Sequence, residues 1–228
     1  MSAPRPWQDV ARGYDDAADA YDERHGSRRD RARAAILERP MLEAVRGARR
    51  VLEVGVGTGR VLAQVAAGVR VGADVSSAML AVARRRGLAV VCADAHRLPF
   101  AAGSFDGALA GGAVFRYLDA PVALAELARV LVPGSALAIH QLGARTWGPR
   151  GARHPDPRVR ELARADELDG PARAAGFAVE RIVRWRTTRV PPYAIEIPAW
   201  LDRRSPVQLW NHVVVVVRRL NAATSGAH

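Results

Sequence analysis

The chain has 228 residues, 49% of them hydrophobic and 6% aromatic, and its formal net charge of +11 is carried on the basic side by arginine alone. That length suffices for one domain with a sizeable core, and the single cysteine, Cys92, excludes an internal disulfide and fits a reducing cytosol. Met1–Gln8 lacks the apolar centre of a signal peptide and no apolar run approaches membrane-spanning length, so a cytoplasmic protein without membrane insertion is expected. The arginine surplus reads either as an electropositive surface for nucleic acid or as compositional bias shared with the abundant alanine. The arginines are scattered and not interleaved with a stacking aromatic motif, which favours bias.

In chain order, residues 1–13 read as a loose lead-in and residues 14–46 as helix, with Ile36, Leu37 and Val45 as apolar contacts. Pro40 is expected to break this helical stretch into at least two. From Val51 onward, strands at 50–54, 69–73, 89–92, 107–110 and 135–141 alternate with helices near 58–67, 76–86 and 121–131. That alternation predicts βαβ units and a parallel sheet. Val132-Pro133-Gly134 reads as a helix stop and a turn. Beyond Gln141 come a Gly-, Pro- and Arg-rich stretch (143–158), a helix (159–175) and two strands, Val179–Arg186 and His212–Arg218.

The most informative stretch is Val51-Leu52-Glu53-Val54-Gly55-Val56-Gly57-Thr58-Gly59. It reads as a buried strand ending in a tight turn that opens a helix, whose N-terminal N–H groups would face an anionic ligand group. The spacing is not the G-x-G-x-x-G of a dinucleotide site, and Gly59-Arg60-Val61 is not the ending of a P-loop. Glu53 sits two residues before the first glycine, the second strand ends in Asp74, and the third ends in Asp94 followed by Ala95. A carboxylate at Asp74 can accept both hydroxyls of a ribose. Three successive strand ends thus carry a glycine loop, an acid and an acid, and in a doubly wound sheet such ends face one crevice.

These segments stand in a fixed order: E-V-G-V-G-T-G from Glu53, A-D-V-S-S-A-M-L from Ala73, A-D-A-H-R-L-P-F from Ala93, S-F-D-G-A from Ser104 and E-L-A-R-V-L-V-P-G-S from Glu126. In that order the chain resembles the class I S-adenosylmethionine-dependent methyltransferases from about Tyr14 to His140. It is most similar to the branch with ubiquinone, menaquinone and natural-product methyltransferases. The resemblance implies an α/β, doubly wound, mostly parallel, seven-stranded Rossmann-like sheet with an antiparallel edge hairpin. It also implies an N-terminal helical cap (14–46), a cofactor-binding core (50–141) and two covers of an acceptor site (143–158 and 187–210).

The implied cofactor is S-adenosyl-L-methionine. Gly55, Gly57 and Gly59, with Thr58, would face its methionine moiety; Asp74 would take the ribose; Met79, beside Val75, would pack on the adenine; Asp94 or Ala95 would meet the adenine amino group. Tyr14 and Tyr21, seven residues apart on one helix face, would cap it, and the segment Gly111–Asp119, with Gly111 and Phe115 at the cofactor, would border both the methionine end and the acceptor. Glu53, if buried, would organise the glycine loop. Plain structural readings stand beside these: a helix cap for Asp74, core packing for Met79, a turn cap for Asp94.

No metal is expected, because the ends of strands four and five lack acids. A base is needed only where the acceptor must lose a proton. His140 is the best-placed candidate among His25, His96, His140 and His154, with Tyr21 beside it, although a lone histidine is more often structural. The resulting expectation is methyl transfer to a small molecule, at O, N or C. The alternatives are an RNA methyltransferase, which would carry an Asn/Asp-Pro-Pro-aromatic run that is missing here, and a non-catalytic partner module. The sequence leaves the oligomeric state open.

Overall fold

A computed structural model describes residues 7–143, 167–188, 191–204 and 211–221. It opens with α1 (Trp7–Asp15), α2 (Ala18–Arg24) and α3 (Arg28–Ala44). The lead-in is therefore helical from Trp7, because Ala11 is buried and α1 packs on α4 (Ser77–Arg85). The Ser27 hydroxyl accepts from the Asp30 N–H and starts α3. Pro40 does not break α3 as expected. Its missing N–H and ring clash cost about 3 kcal/mol, but Leu37 and Met41 on either side are buried, and each such burial returns about 1.5–3 kcal/mol.

The sheet holds β1 (Arg50–Val54), β2 (Val69–Asp74), β3 (Ala89–Cys92), β4 (Phe105–Ala110), β5 (Leu131–Leu142), β6 (Phe177–Thr187), β7 (Ala194–Glu196) and β8 (His212–Arg219). Their order is β3-β2-β1-β4-β5-β8-β6-β7. The first five are parallel, β8 lies antiparallel between β5 and β6, and β7 lies antiparallel on β6. The expected seven strands become eight because part of the stretch read as a cover folds back on the edge of β6, pairing Trp185 with Glu196 and Thr187 with Ala194. The remaining helices are α5 (Ala120–Val130), α6 (Asp169–Ala174) and α7 (Ala199–Arg204).

Two further expectations fail locally. No α-helix follows the glycine loop; residues 58–67 hold only a 3₁₀ turn at Leu62–Gln64. Gly55, Gly57 and Gly59 all have positive φ, at 64°, 52° and 80°, so too few residues remain before β2 for a helix to propagate. A helix dipole therefore plays no part at this loop. Val132-Pro133-Gly134 is not a separate turn but a bulge inside β5, where pairing jumps from Phe105–Leu131 to Gly107–Ala136.

The period-two alternation of the strands splits the core between the two faces. Leu52, Leu137 and Ile139 pack with Leu124 and Leu127 of α5 on one side. Val51, Leu109, Ala138 and Val214 pack with Leu37 and Met41 of α3 and Leu80 of α4 on the other. Helices thus cover both faces, and strand order reverses between β1 and β4, the switch point at which α/β sheets open a crevice at their carboxyl ends.

Candidate active site

A cavity of about 270 Å³ lies at that crevice. Its wall comes from the ends of the first four strands: Gly55 and Gly57 after β1, Asp74 and Val75 at β2, Asp94 and Ala95 after β3, and Gly111 after β4. Tyr14 of α1, Tyr21 of α2 and Met79 of α4 also line it. Ten of the residues expected at a cofactor site are therefore brought together. Glu53, Thr58, Gly59 and Phe115 do not line the cavity, each for a visible reason. Phe115 is 2% exposed within the core. The Thr58 hydroxyl donates to Asp22 Oδ1 at 2.8 Å and ties α2 to the loop. A Cβ on Gly59 would sit 2.4 Å from Leu88, so that glycine serves packing. Glu53 lies behind Gly111, whose added Cβ would stand 2.7 Å from Glu53 Oε1.

Asp74 is the hinge of the arrangement. Its Oδ2 accepts the Gly57 N–H at 2.8 Å and its Oδ1 accepts the Ser76 N–H at 3.0 Å. Burial raises its pKa against these stabilising bonds. A backbone hydrogen bond from Val75 adds a third, and part of the carboxylate's accepting capacity stays free. The cap of α4 that Asp74 was alternatively expected to supply comes from Ser76, whose hydroxyl accepts the Met79 N–H and donates to Asp15 Oδ1. Asp94 is a turn-former as well as a wall residue: its Oδ1 accepts from the His96 backbone and from His96 Nδ1 at 2.7 Å. The Asp119 N–H points at His96 Nε2, which fixes Nδ1 as the protonated ring nitrogen. Burial pushes the Glu53 carboxyl far above its ordinary value, and its Oε2 has no partner.

The roof is aromatic. Tyr14 donates to the Tyr117 hydroxyl at 3.3 Å and meets that ring edge-on, and Tyr21 lies 6.4 Å from Tyr14. Burial raises both Tyr14 and Tyr21 above the usual phenol range.

His140 does not line this cavity. It lines a second one, of about 170 Å³, together with His25, Arg33, Glu38, Arg60 and His212. Gly112 borders both cavities. His140 Nε2 stands 3.0 Å from His212 Nδ1 with the ring planes within 6°. Burial, reinforced by Arg116, lowers His140 to about 4, and burial with His140 and Arg33 lowers His212 to about 2. The sequence gives no warning of this pair, since strand register alone brings the two residues together: His140 faces Val214 and Leu142 faces His212. Of the expected covers, residues 144–158, including Trp147, lie outside the described residues. In 187–210, Tyr193 closes the β6–β7 turn, its carbonyl accepting the Thr188 N–H, and Trp200 is 57% exposed; neither lines either of these two cavities. No cluster of three metal-binding side chains occurs among the described residues, and no helix among them is long and apolar enough to cross a membrane.

The first cavity fits S-adenosylmethionine by its own chemistry. A Cβ on Gly57 would meet open space, so the backbone there offers a bare, close surface. An acid with spare lone pairs stands beside an apolar slot of Val75, Met79 and Ala95, the combination a ribose and a flat heterocycle require.

The comparisons agree. Residues 52–139 match the family model described as a methyltransferase domain. A demethylmenaquinone methyltransferase of Beutenbergia cavernae is 38% identical over 151 residues, spanning 62% of this chain and 61% of that protein. An O-methyltransferase of Penicillium expansum, cnsE, is 37% identical over 57% of this chain and 52% of that protein. The chain thus covers less than two thirds of these relatives' length. Among solved structures, the [4+2]-cyclase SpnF superposes with a TM-score of 0.71 at 23% identity, covering 96% of this chain and 99% of that one. A geranyl diphosphate C-methyltransferase from Streptomyces coelicolor A3(2) superposes at 0.67 with 16% identity, covering 96% and 100%; both likenesses concern the fold. The motif order, sheet topology and sequence relatives support a class I S-adenosylmethionine-dependent methyltransferase, with residues 52–139 matching a methyltransferase domain.

Proposed function

We propose that this protein transfers a methyl group from S-adenosylmethionine to a small-molecule acceptor, with the cofactor in the first cavity and the acceptor reaching it past Gly112 from the second. The observation that carries this reading is Asp74, held by Gly57 and Ser76 at the mouth of an apolar slot. When bound, the cofactor supplies a methyl group already activated on a sulfonium. The chain's part is to hold, orient and exclude water, and such positioning is worth about 7–11 kcal/mol. Asp74 takes the ribose hydroxyls, and Met79 and Val75 flank the base. Tyr14 and Tyr21 close the roof. The His140–His212 pair, uncharged at neutral pH, presents imidazole nitrogen that can accept a hydrogen bond from an acceptor hydroxyl and orient it.

Relatives named for demethylmenaquinone and O-methylation support a metabolite as the acceptor. A polynucleotide acceptor draws less support, since exposed arginines such as Arg39, Arg181 and Arg218 are tied to Glu43 and Glu180. Calorimetric titration tests the cofactor half of the proposal. The demethylated cofactor is expected to bind with micromolar-range affinity, and Asp74→Ala to weaken it by about 1.5–3 kcal/mol, roughly ten- to hundredfold. A folded protein that binds neither cofactor nor its demethylated product refutes the reading.

A further inference from the structure

His96 lines the first cavity two residues beyond Asp94, and both of its ring nitrogens are committed. Its backbone N–H and its Nδ1–H both donate to Asp94 Oδ1, at 2.9 and 2.7 Å. Its Nε2 accepts the Asp119 N–H at 2.9 Å, and the Asp119 carboxylate in turn accepts the Val122 N–H at the start of α5. One imidazole therefore ties the loop after β3 to the segment after β4, whose Tyr117 and Leu118 line the same cavity. Two donors on Oδ1 hold the Asp94 carboxylate against rotation, and among the described residues nothing donates to its Oδ2. The next residue, Ala95, is 7% exposed and also lines the cavity, and its N–H has no acceptor among the described residues. A buried N–H left open is costly until a ligand completes it. The open acceptor and the open donor are neighbours in the chain, on the wall that also carries the apolar Val75 and Met79.

We infer that His96 is a positioning residue for the cofactor's base: by holding Asp94 Oδ1 it keeps Oδ2 and the Ala95 N–H as a fixed acceptor–donor pair, which selects a heterocycle edge with an amino group beside a bare ring nitrogen. This rests on the reading of the first cavity as the cofactor site. Adenine presents that edge. Hypoxanthine presents a carbonyl oxygen beside a ring N–H, so acceptor meets acceptor and donor meets donor. A site built to hydrogen-bond one pattern rejects the other because its own polar groups are left unpaired.

The test is the calorimetric affinity of the full chain for S-adenosylhomocysteine and for S-inosylhomocysteine, the same molecule with hypoxanthine in place of adenine. Wild type is expected to prefer the adenine form by about fiftyfold or more, the size of two mispaired polar contacts. His96→Ala should weaken S-adenosylhomocysteine by about tenfold and leave S-inosylhomocysteine within about twofold, so that most of the preference is lost. Asparagine and glutamine divide the two functions of the ring. An Asn amide N–H falls near the place of Nδ1 and still holds Asp94, whereas a Gln amide reaches the place of Nε2 and serves Asp119. His96→Asn should therefore keep most of the preference and His96→Gln should lose it, a contrast that stands even where His96→Ala does not fold. Equal weakening of both ligands in His96→Ala, a full preference in His96→Ala or His96→Gln, or its loss in His96→Asn overturns the inference. So does a wild type that binds the two ligands equally. Wild-type protein that binds neither ligand is a different result and strikes the cofactor reading instead.

Discussion

Replacing Gly55 by alanine is expected to destabilise the protein by about 2–5 kcal/mol and to lower its melting midpoint by about 4–20 °C. Two costs add. Gly55 has φ +64°, where a side chain is strained, and the new Cβ would stand 2.4 Å from Val114. Val114 cannot retreat freely, because Phe115 and Leu118 beside it are buried in the core. Gly57→Ala separates the two terms. Its φ of +52° brings the strain alone, since nothing stands within 4 Å of the added carbon. That variant should stay folded with a smaller stability loss, yet bind the cofactor poorly because the methyl group occupies the cavity wall. Thermal unfolding and calorimetry on the two variants read the contrast. Gly55→Ala melting like the wild type would show that the loop is not as tightly seated as described.

Acid should destabilise the fold through the His140–His212 pair. Burial holds His140 at about 4 in the folded chain, against about 6.5 when unfolded. The unfolded chain therefore binds more protons below pH 6.5, and stability present above that pH is lost as pH falls toward 4. Between pH 7 and pH 5 each ring contributes a loss of about 2 kcal/mol. The sign is reinforced by Arg116 and Arg33, whose charges oppose protonation; Asp30 and Glu38, on the same cavity wall, act in the opposite sense. Urea unfolding at the two pH values should show the loss in the wild type and a clearly flatter dependence in His140→Asn/His212→Asn. An identical pH dependence in the two proteins would mean that the pair is not buried and uncharged as described.

Much of the cofactor cavity was legible because it is local. Gly55, Gly57 and Asp94 each follow a strand and Asp74 ends one, so reading five apolar runs was enough to align their ends. What escaped was set by long-range packing. Pro40 argued for a break that the burial of Leu37 and Met41 overrides. Three glycines argued for a helix start, but their positive φ values use up the connection before a helix can form. β7 was hidden in a Pro-rich stretch and exists through its pairing with β6. The second cavity draws on His25 just after α2, on α3, on the glycine loop at Arg60, and on β5 and β8, so no window of sequence contains it.

The central claim is that the cavity between the glycine loop, Asp74 and Asp94 holds S-adenosylmethionine under Tyr14 and Tyr21. Amide resonances of isotope-labelled protein, followed during titration with S-adenosylhomocysteine, test it most directly. The largest shifts are expected at Gly55, Gly57, Asp74, Ala95 and Tyr21, with Val179 and Val217 on β6 and β8 unmoved. Binding that leaves the glycine loop and Asp74 unshifted while perturbing another surface would contradict the account.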